Sequence, residues 1–166
     1  FEPLAELAAE RGFVLANDAA YLEVSLDGHR PVSLLEAVDH HRRLVIEFHS
    51  FSKMFNMTGW RLGFAVGHPA VIAQLARVKQ SIDSGPFTAL QEVATAALAR
   101  GADRLLDDVM QPYAGRRRTL VRALETAGLA VFPTQATFYV WARVPEGETS
   151  LGFCGRVLRD RGVVLT

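Results

Sequence analysis

The chain has 166 residues, 18 Lys+Arg against 18 Asp+Glu and a formal net charge of zero. This length suits one domain or one and a part, and the charge balance removes the electrostatic case for nucleic acid or an anionic membrane as partner. Apolar residues make up 49% and charged residues 22%, a globular composition and not a disordered one.

A single cysteine, Cys154, excludes an internal disulfide framework and a Cys-based zinc site. It is compatible with a reduced, cytoplasmic setting. No run approaches the roughly 18 apolar residues of a membrane span, and no basic region followed by an apolar run opens the chain at Phe1.

Residues 3–11 predict a helix: Leu4, Leu7 and Ala8 recur at helical spacing, Pro3 suits the first turn and Gly12 the C-cap. FVLA (13–16) is an apolar run ending in Asn17-Asp18 and predicts a buried strand. SLDGHRP (25–31) is a turn-rich loop. RLVIEF (43–48) and LGFAVG (62–67) predict two more buried strands. After His68-Pro69, apolar residues recur three and four apart over 70–81, 87–99 and 102–127, which predicts three helices, the last bending near Pro112. LAVFP (129–133) and ATFYVWARV (136–144) predict a strand pair. Residues 150–161 predict a helix, and GVVLT (162–166) reads as the beginning of a strand. The order predicts an α/β layer followed by a smaller α+β unit, with the hinge inside the 102–127 helix.

The chemistry concentrates in EFHSFSKMFNMTGWRLGF (47–64), which begins at the C-terminal end of a predicted strand, where α/β folds place ligands. Ser50, Ser52 and Arg61 supply two hydroxyls and a forked guanidinium, a set suited to phosphate. Lys53 lies between them, and a strand-end lysine beside other cations can become a nucleophilic amine. Asn56 and Thr58 shape the loop. On composition alone the segment also suits a solvated loop. NDAAY (17–21) ends another predicted strand; Asp18 there is either a functional carboxylate or a turn or cap residue, and Tyr21 either functional or core. His40 and His41 are adjacent with no spaced third ligand, so they read as surface and not as a metal site. Cys154 reads as an inert small apolar residue, and Arg116–Arg118 as a solvated face.

SFSKMFNMTGWRLGFAVG closely resembles the cofactor-lysine motif of class I/II pyridoxal-phosphate-dependent aminotransferases, the fold type I group that includes aspartate, aromatic, LL-diaminopimelate and N-succinyldiaminopimelate aminotransferases. NDAAY resembles their Asp-x-x-Tyr motif, and the resemblance continues through SIDSGPFTALQ (81–91) and GLAVFPTQATFYVW (128–141). It implies that Lys53 forms a Schiff base with the cofactor aldehyde and then moves the proton at the substrate Cα. It implies that Asp18 faces the pyridine nitrogen and keeps it protonated, that Tyr21 hydrogen-bonds the ring oxygen, and that Ser50, Ser52 and Arg61 bind the phosphate. Gly59 is expected to allow a tight turn and Gly63 close packing, while Trp60 and Phe64 read as core.

The resemblance further implies a large cofactor-binding domain over 1–112 with a mostly parallel sheet, and the start of a small α+β domain over 113–166. Substrates would be an amino acid and a 2-oxo acid, and the assembly a homodimer with Ser84 of the 81–87 loop near the other subunit's site. No metal is expected. The glycine-rich turn, ring-stacking aromatic and Asn of the family would precede Phe1, and its substrate-carboxylate Arg would follow Thr166. The chain therefore reads as a piece of a longer protein, with an incomplete sheet that either associates with another chain or is the ordered part of a longer one, and that binds cofactor weakly or not at all by itself. Two other activities stay open at this point: a lyase or synthase of the same fold, and the ligand-sensing domain of a transcriptional regulator. So does a non-catalytic fragment.

Overall fold

Helix α1 (Glu2–Arg11) carries Pro3 in its first turn and stops at Gly12, whose φ of 71° is the left-handed cap a glycine adopts without strain. The structure, a computed structural model, describes residues 1–100 and 102–166, and all their side chains except those of 102–105. Strand β1 (Leu15–Asp18) begins two residues later than the apolar run predicts, because the Phe13 N–H still closes α1 on the Ala8 carbonyl at 3.0 Å. A short helix α2 (Leu34–Ala37) follows, its first turn capped by the Ser33 hydroxyl, which accepts from the Leu35 N–H. Strand β2 (Val45–Ser50) leads directly into α3 (Phe51–Met54), a 3₁₀ turn (Thr58–Trp60) and strand β3 (Gly63–Gly67).

The sheet order is β1-β2-β3. β1 runs parallel to β2, with Leu15 opposite Val45 and Asp18 opposite Phe48. β3 runs antiparallel to β2, with Ser50 opposite Gly63 and Ile46 opposite Gly67. The segment between β2 and β3 folds back on itself, the Phe51 N–H reaching the Leu62 carbonyl at 3.1 Å. A Cβ at Gly63 would stand 2.6 Å from the His49 carbonyl oxygen, and one at Gly67 2.3 Å from that of Val45, so β3 needs glycine at both ends.

Three apolar clusters hold the layers. Ala5 of α1 packs with Leu34, Val38 and Val45. Phe51, Met57 and Leu62 pack with Ala94 of the fifth helix. Val24 and Leu26 pack with Met110 of the sixth, joined by Tyr21, Tyr113 and Phe138. The helices α4 (Pro69–Ile82), α5 (Thr88–Ala99), α6 (Ala102–Thr126) and α7 (Ser150–Arg161) match the periodicity within a residue or two, and α6 continues through Pro112. Among the described residues, no helix is long and apolar enough to cross a membrane.

Three expectations need correction. The strand pair over 129–144 reduces to one antiparallel bridge, Val131 with Ala142. Pro133 lacks a donor and Thr137 sits at φ 64°, so the ladder cannot extend, and Ala136 bridges to Ser25 instead. Residues after Gly162 form no strand, since a strand needs a ladder partner and none is present among the described residues. Arg117 is no part of a solvated face: its guanidinium meets Asp27 at 2.5 Å and the Thr134 carbonyl, tying α6 to the loop after β1. Arg116 and Arg118 stay closer to the expected solvated face, Arg116 with its guanidinium over the Tyr113 ring at 5.7 Å.

Candidate active site

Parallel pairing puts the carboxyl ends of β1 and β2 at one end of the sheet. Asp18 closes β1 opposite Phe48, and the next N–H, that of Ala19, donates to the Phe48 carbonyl at 2.8 Å. Ser50 lies two positions further along β2, about 7 Å at strand rise. Asp18 is exposed, with one carboxylate oxygen accepting from the Ala20 N–H at 3.3 Å.

Ser50 keeps extended backbone and caps α3, its hydroxyl accepting from the Ser52 N–H at 3.2 Å. This cap turns the chain so that α3 carries Lys53 beside Tyr21. The Lys53 amine lies 5.8 Å from the Tyr21 ring centroid and 5.6 Å from that of Phe138, within cation–π range. It makes no hydrogen bond or ion pair among the described residues. Ser52 is buried, and its carbonyl accepts from the Thr58 hydroxyl at 3.1 Å. The Thr58 carbonyl in turn accepts from Arg61 at 3.2 Å. Arg61 and Asn56 take left-handed backbone, φ 52° and 55°, whereas Gly59 does not. The tight turn expected of Gly59 therefore falls on its neighbours. Trp60 is 44% exposed and not core, while Phe64 packs in the Phe51 cluster as expected.

Tyr21 follows β1 and meets Tyr139, the two hydroxyl oxygens 2.9 Å apart. Its ring stands edge-on to Phe138, 5.6 Å between centroids. The hydrogen bond to Tyr139, then burial and the nearby Tyr139 and Asp18 charges, push the Tyr21 phenol up to about 12. Asp18, Tyr21, Ser50 and Lys53 thus gather at one sheet end, while Ser52 and Arg61 lie in the segment that follows, Thr58 linking the Ser52 carbonyl to the Arg61 guanidinium. Ser84 does not join them: it sits exposed in the turn between α4 and α5. The His40 and His41 rings lie tilted against each other, 4.3 Å between centroids, and no three metal-ligating side chains cluster among the described residues. Cys154 is half-buried and unbridged.

Sequence reasoning missed four participants: Phe138, Tyr139, Glu47 and His49. The two aromatics were legible only as part of an aromatic stretch. Glu47 is fully buried on β2, where it accepts from Asn17 at 2.8 Å, Ser33 at 2.8 Å and the Leu34 N–H at 2.7 Å, and pairs with His49 at 2.9 Å. Burial pushes its carboxyl up, but these hydrogen bonds and His49 outweigh it and hold the group below its ordinary value. The signal was a charge inside an otherwise apolar strand.

Residues 1–166 match the family model described as Aminotransferase class I and II. An LL-diaminopimelate aminotransferase of Nitratidesulfovibrio vulgaris (strain Hildenborough) is 45% identical over 167 residues, covering 100% of this chain and 42% of the relative. One from Dehalococcoides mccartyi (strain 195) is 45% identical over 166 residues with the same coverage. Among solved structures, a probable N-succinyldiaminopimelate aminotransferase from Thermus thermophilus superposes with a TM-score of 0.87 at 33% identity, over 99% of this chain and 44% of its own. The chain spans about 42% of the length of the curated relatives it matches.

Proposed function

This chain belongs to the aminotransferase class I and II family and has the fold type I architecture of its solved relatives, and we propose that the full-length protein moves an amino group between an amino acid and a 2-oxo acid. The cofactor is pyridoxal phosphate, held where β1 and β2 end. The donor set suits that group: an amine, a guanidinium, hydroxyls, a phenol and a carboxylate gather at one edge.

When bound, pyridoxal phosphate supplies an aldehyde and a pyridinium ring that withdraws electrons from the substrate Cα. Lys53 Nζ would hold the aldehyde end and would be the base that moves the proton at the substrate Cα. The Asp18 carboxylate would hold negative charge at the ring nitrogen and so keep that nitrogen protonated. The Tyr21 hydroxyl, protonated at neutral pH, would donate to the ring oxygen. Ser50, Ser52 and the Arg61 fork bind the phosphate, with the Ser52 carbonyl also anchoring the loop through Thr58. Phe138 and the Tyr21 ring give the Lys53 amine an apolar, cation-binding side.

In this reading residues 1–112 belong to the cofactor-binding domain and 113–166 begin the small one. The protein is a cytoplasmic homodimer with Ser84 directed to the partner's site. The single observation that carries the reading is the Lys53 amine, unpaired among the described residues, lodged between Tyr21 and Phe138 at the sheet end that Asp18 terminates. The names of the relatives make LL-diaminopimelate the first amino donor to assay. Full-length protein given pyridoxal phosphate should gain the cofactor's visible absorbance and transfer the amino group to a 2-oxo acid. Absence of both would refute the proposal.

A further inference from the structure

The strand that delivers Ser50 and Lys53 carries a fully buried carboxylate, Glu47, two residues after the buried Val45. Burying a carboxylate is costly unless its oxygens are paired. Here four donors meet it, and they come from three places in the fold. Asn17 on β1 donates to Oε2 at 2.8 Å. The Leu34 N–H at the start of α2 donates to Oε2 at 2.7 Å, and the Ser33 hydroxyl to Oε1 at 2.8 Å. His49 Nε2, from β2 itself, reaches Oε1 at 2.9 Å. A carboxylate only accepts, so the proton of this last contact resides on Nε2.

The positions of these donors matter more than their number. Asn17 directly precedes Asp18, and His49 directly precedes Ser50. The His49 ring lies flat on Phe64, 4.7 Å between centroids at 6°, and Phe64 meets Phe51 of α3 at 5.6 Å. Phe51 is two residues from Lys53. One carboxylate therefore connects the strand end of Asp18, the cap of α2 and, through His49 and Phe64, the helical turn of Lys53. The backbone ladder sets the register of β1 on β2; an apolar side chain at 47 would fill the volume as Val45 does, but could not tie the Asn17, Ser33 and His49 side chains to one point.

We infer that Glu47 is a positioning residue: its carboxylate holds the Asp18 strand end and the Ser50–Lys53 turn in a set orientation on the β1–β2 ladder, acting through Asn17 and His49 without itself touching the cofactor. This rests on the proposed function.

The test uses full-length protein with Glu47→Gln, which keeps the shape and removes the charge, and with Asn17→Ala, which removes one peripheral donor. Each variant is checked for folding by circular dichroism. Apo protein is then followed by amide hydrogen exchange over 17–21 and 50–54, and pyridoxal phosphate affinity is measured by absorbance titration. Glu47→Gln should raise exchange selectively in those two segments and weaken cofactor affinity about tenfold or more, and Asn17→Ala should do the same to a smaller extent. Folded variants with wild-type affinity, or with exchange raised uniformly across the sheet, would overturn the inference by making the network merely structural. If Glu47→Gln does not fold, Asn17→Ala decides alone by the same criteria. A wild-type protein that takes no cofactor sinks the proposed function instead, so the two failures are distinguishable.

Discussion

The hydroxyl oxygens of Tyr21 and Tyr139 lie 2.9 Å apart although 118 positions separate them in the chain. The contact joins the end of β1 to the aromatic stretch whose Phe138 stands beside Lys53, and it is the largest cause of the raised Tyr21 pKa.

Tyr139→Phe should therefore lower the Tyr21 phenol from about 12 toward its ordinary value of 10.0. Carbon NMR of ring-labelled tyrosine, with Tyr21 assigned by its disappearance in Tyr21→Phe, reads the titration directly. A Tyr21 pKa unchanged in Tyr139→Phe would mean that burial and Asp18 set it instead.

Asp18→Asn in the full-length protein should retain cofactor and lose at least about a hundredfold in turnover, because an amide can hydrogen-bond but carries no charge to hold the ring nitrogen protonated. Steady-state kinetics on the cofactor-saturated variant decide this. Near-normal turnover would remove Asp18 from the proposed mechanism.

Arg61→Ala should weaken pyridoxal phosphate binding by about tenfold or more, while leaving the affinity for unphosphorylated pyridoxal unchanged, because the guanidinium fork addresses the phosphate alone. Parallel titrations with the two compounds separate this from a general loosening of the 56–61 turn, which would weaken both.

Glu47 gives the protein an acid-sensitive contribution to stability. Its folded pKa lies below the ordinary 4.5, so the unfolded chain takes up the proton first as pH falls. The stabilisation is complete above about 4.5 and is lost as pH drops through the folded value. Denaturant unfolding of wild type and Glu47→Gln should show a gap at neutral pH that narrows as the pH falls below the ordinary 4.5. A gap independent of pH would assign the difference to packing.

The sites legible in the sequence were those whose parts are contiguous. Ser50 through Arg61 lie within one turn-forming segment, so their residue types alone marked the place. β2, β3, α4 and α5 were legible because apolar runs and helical periodicity report burial directly. β1 was displaced toward Asp18 because the C-cap of α1 consumed Phe13. The strands over 129–144 failed because aromatic and β-branched residues favour strand only where a ladder partner exists, and Pro133 and Thr137 interrupt the ladder. Glu47 was invisible as a hub since Asn17 reaches it only through the parallel pairing of β1 with β2, and Ser33 and Leu34 only through the packing of α2 on β2. Arg117 likewise finds Asp27 and Thr134 only in the folded chain.

The central claim is that Lys53 is the residue that binds the cofactor aldehyde, and one measurement reaches it most directly. Full-length protein loaded with pyridoxal phosphate is reduced with borohydride, digested, and its peptides mapped by mass spectrometry. The account predicts a stable pyridoxyl group on Lys53. A pyridoxyl group on Lys79 instead, whose amine is engaged with Asp83 at the end of α4, would contradict it.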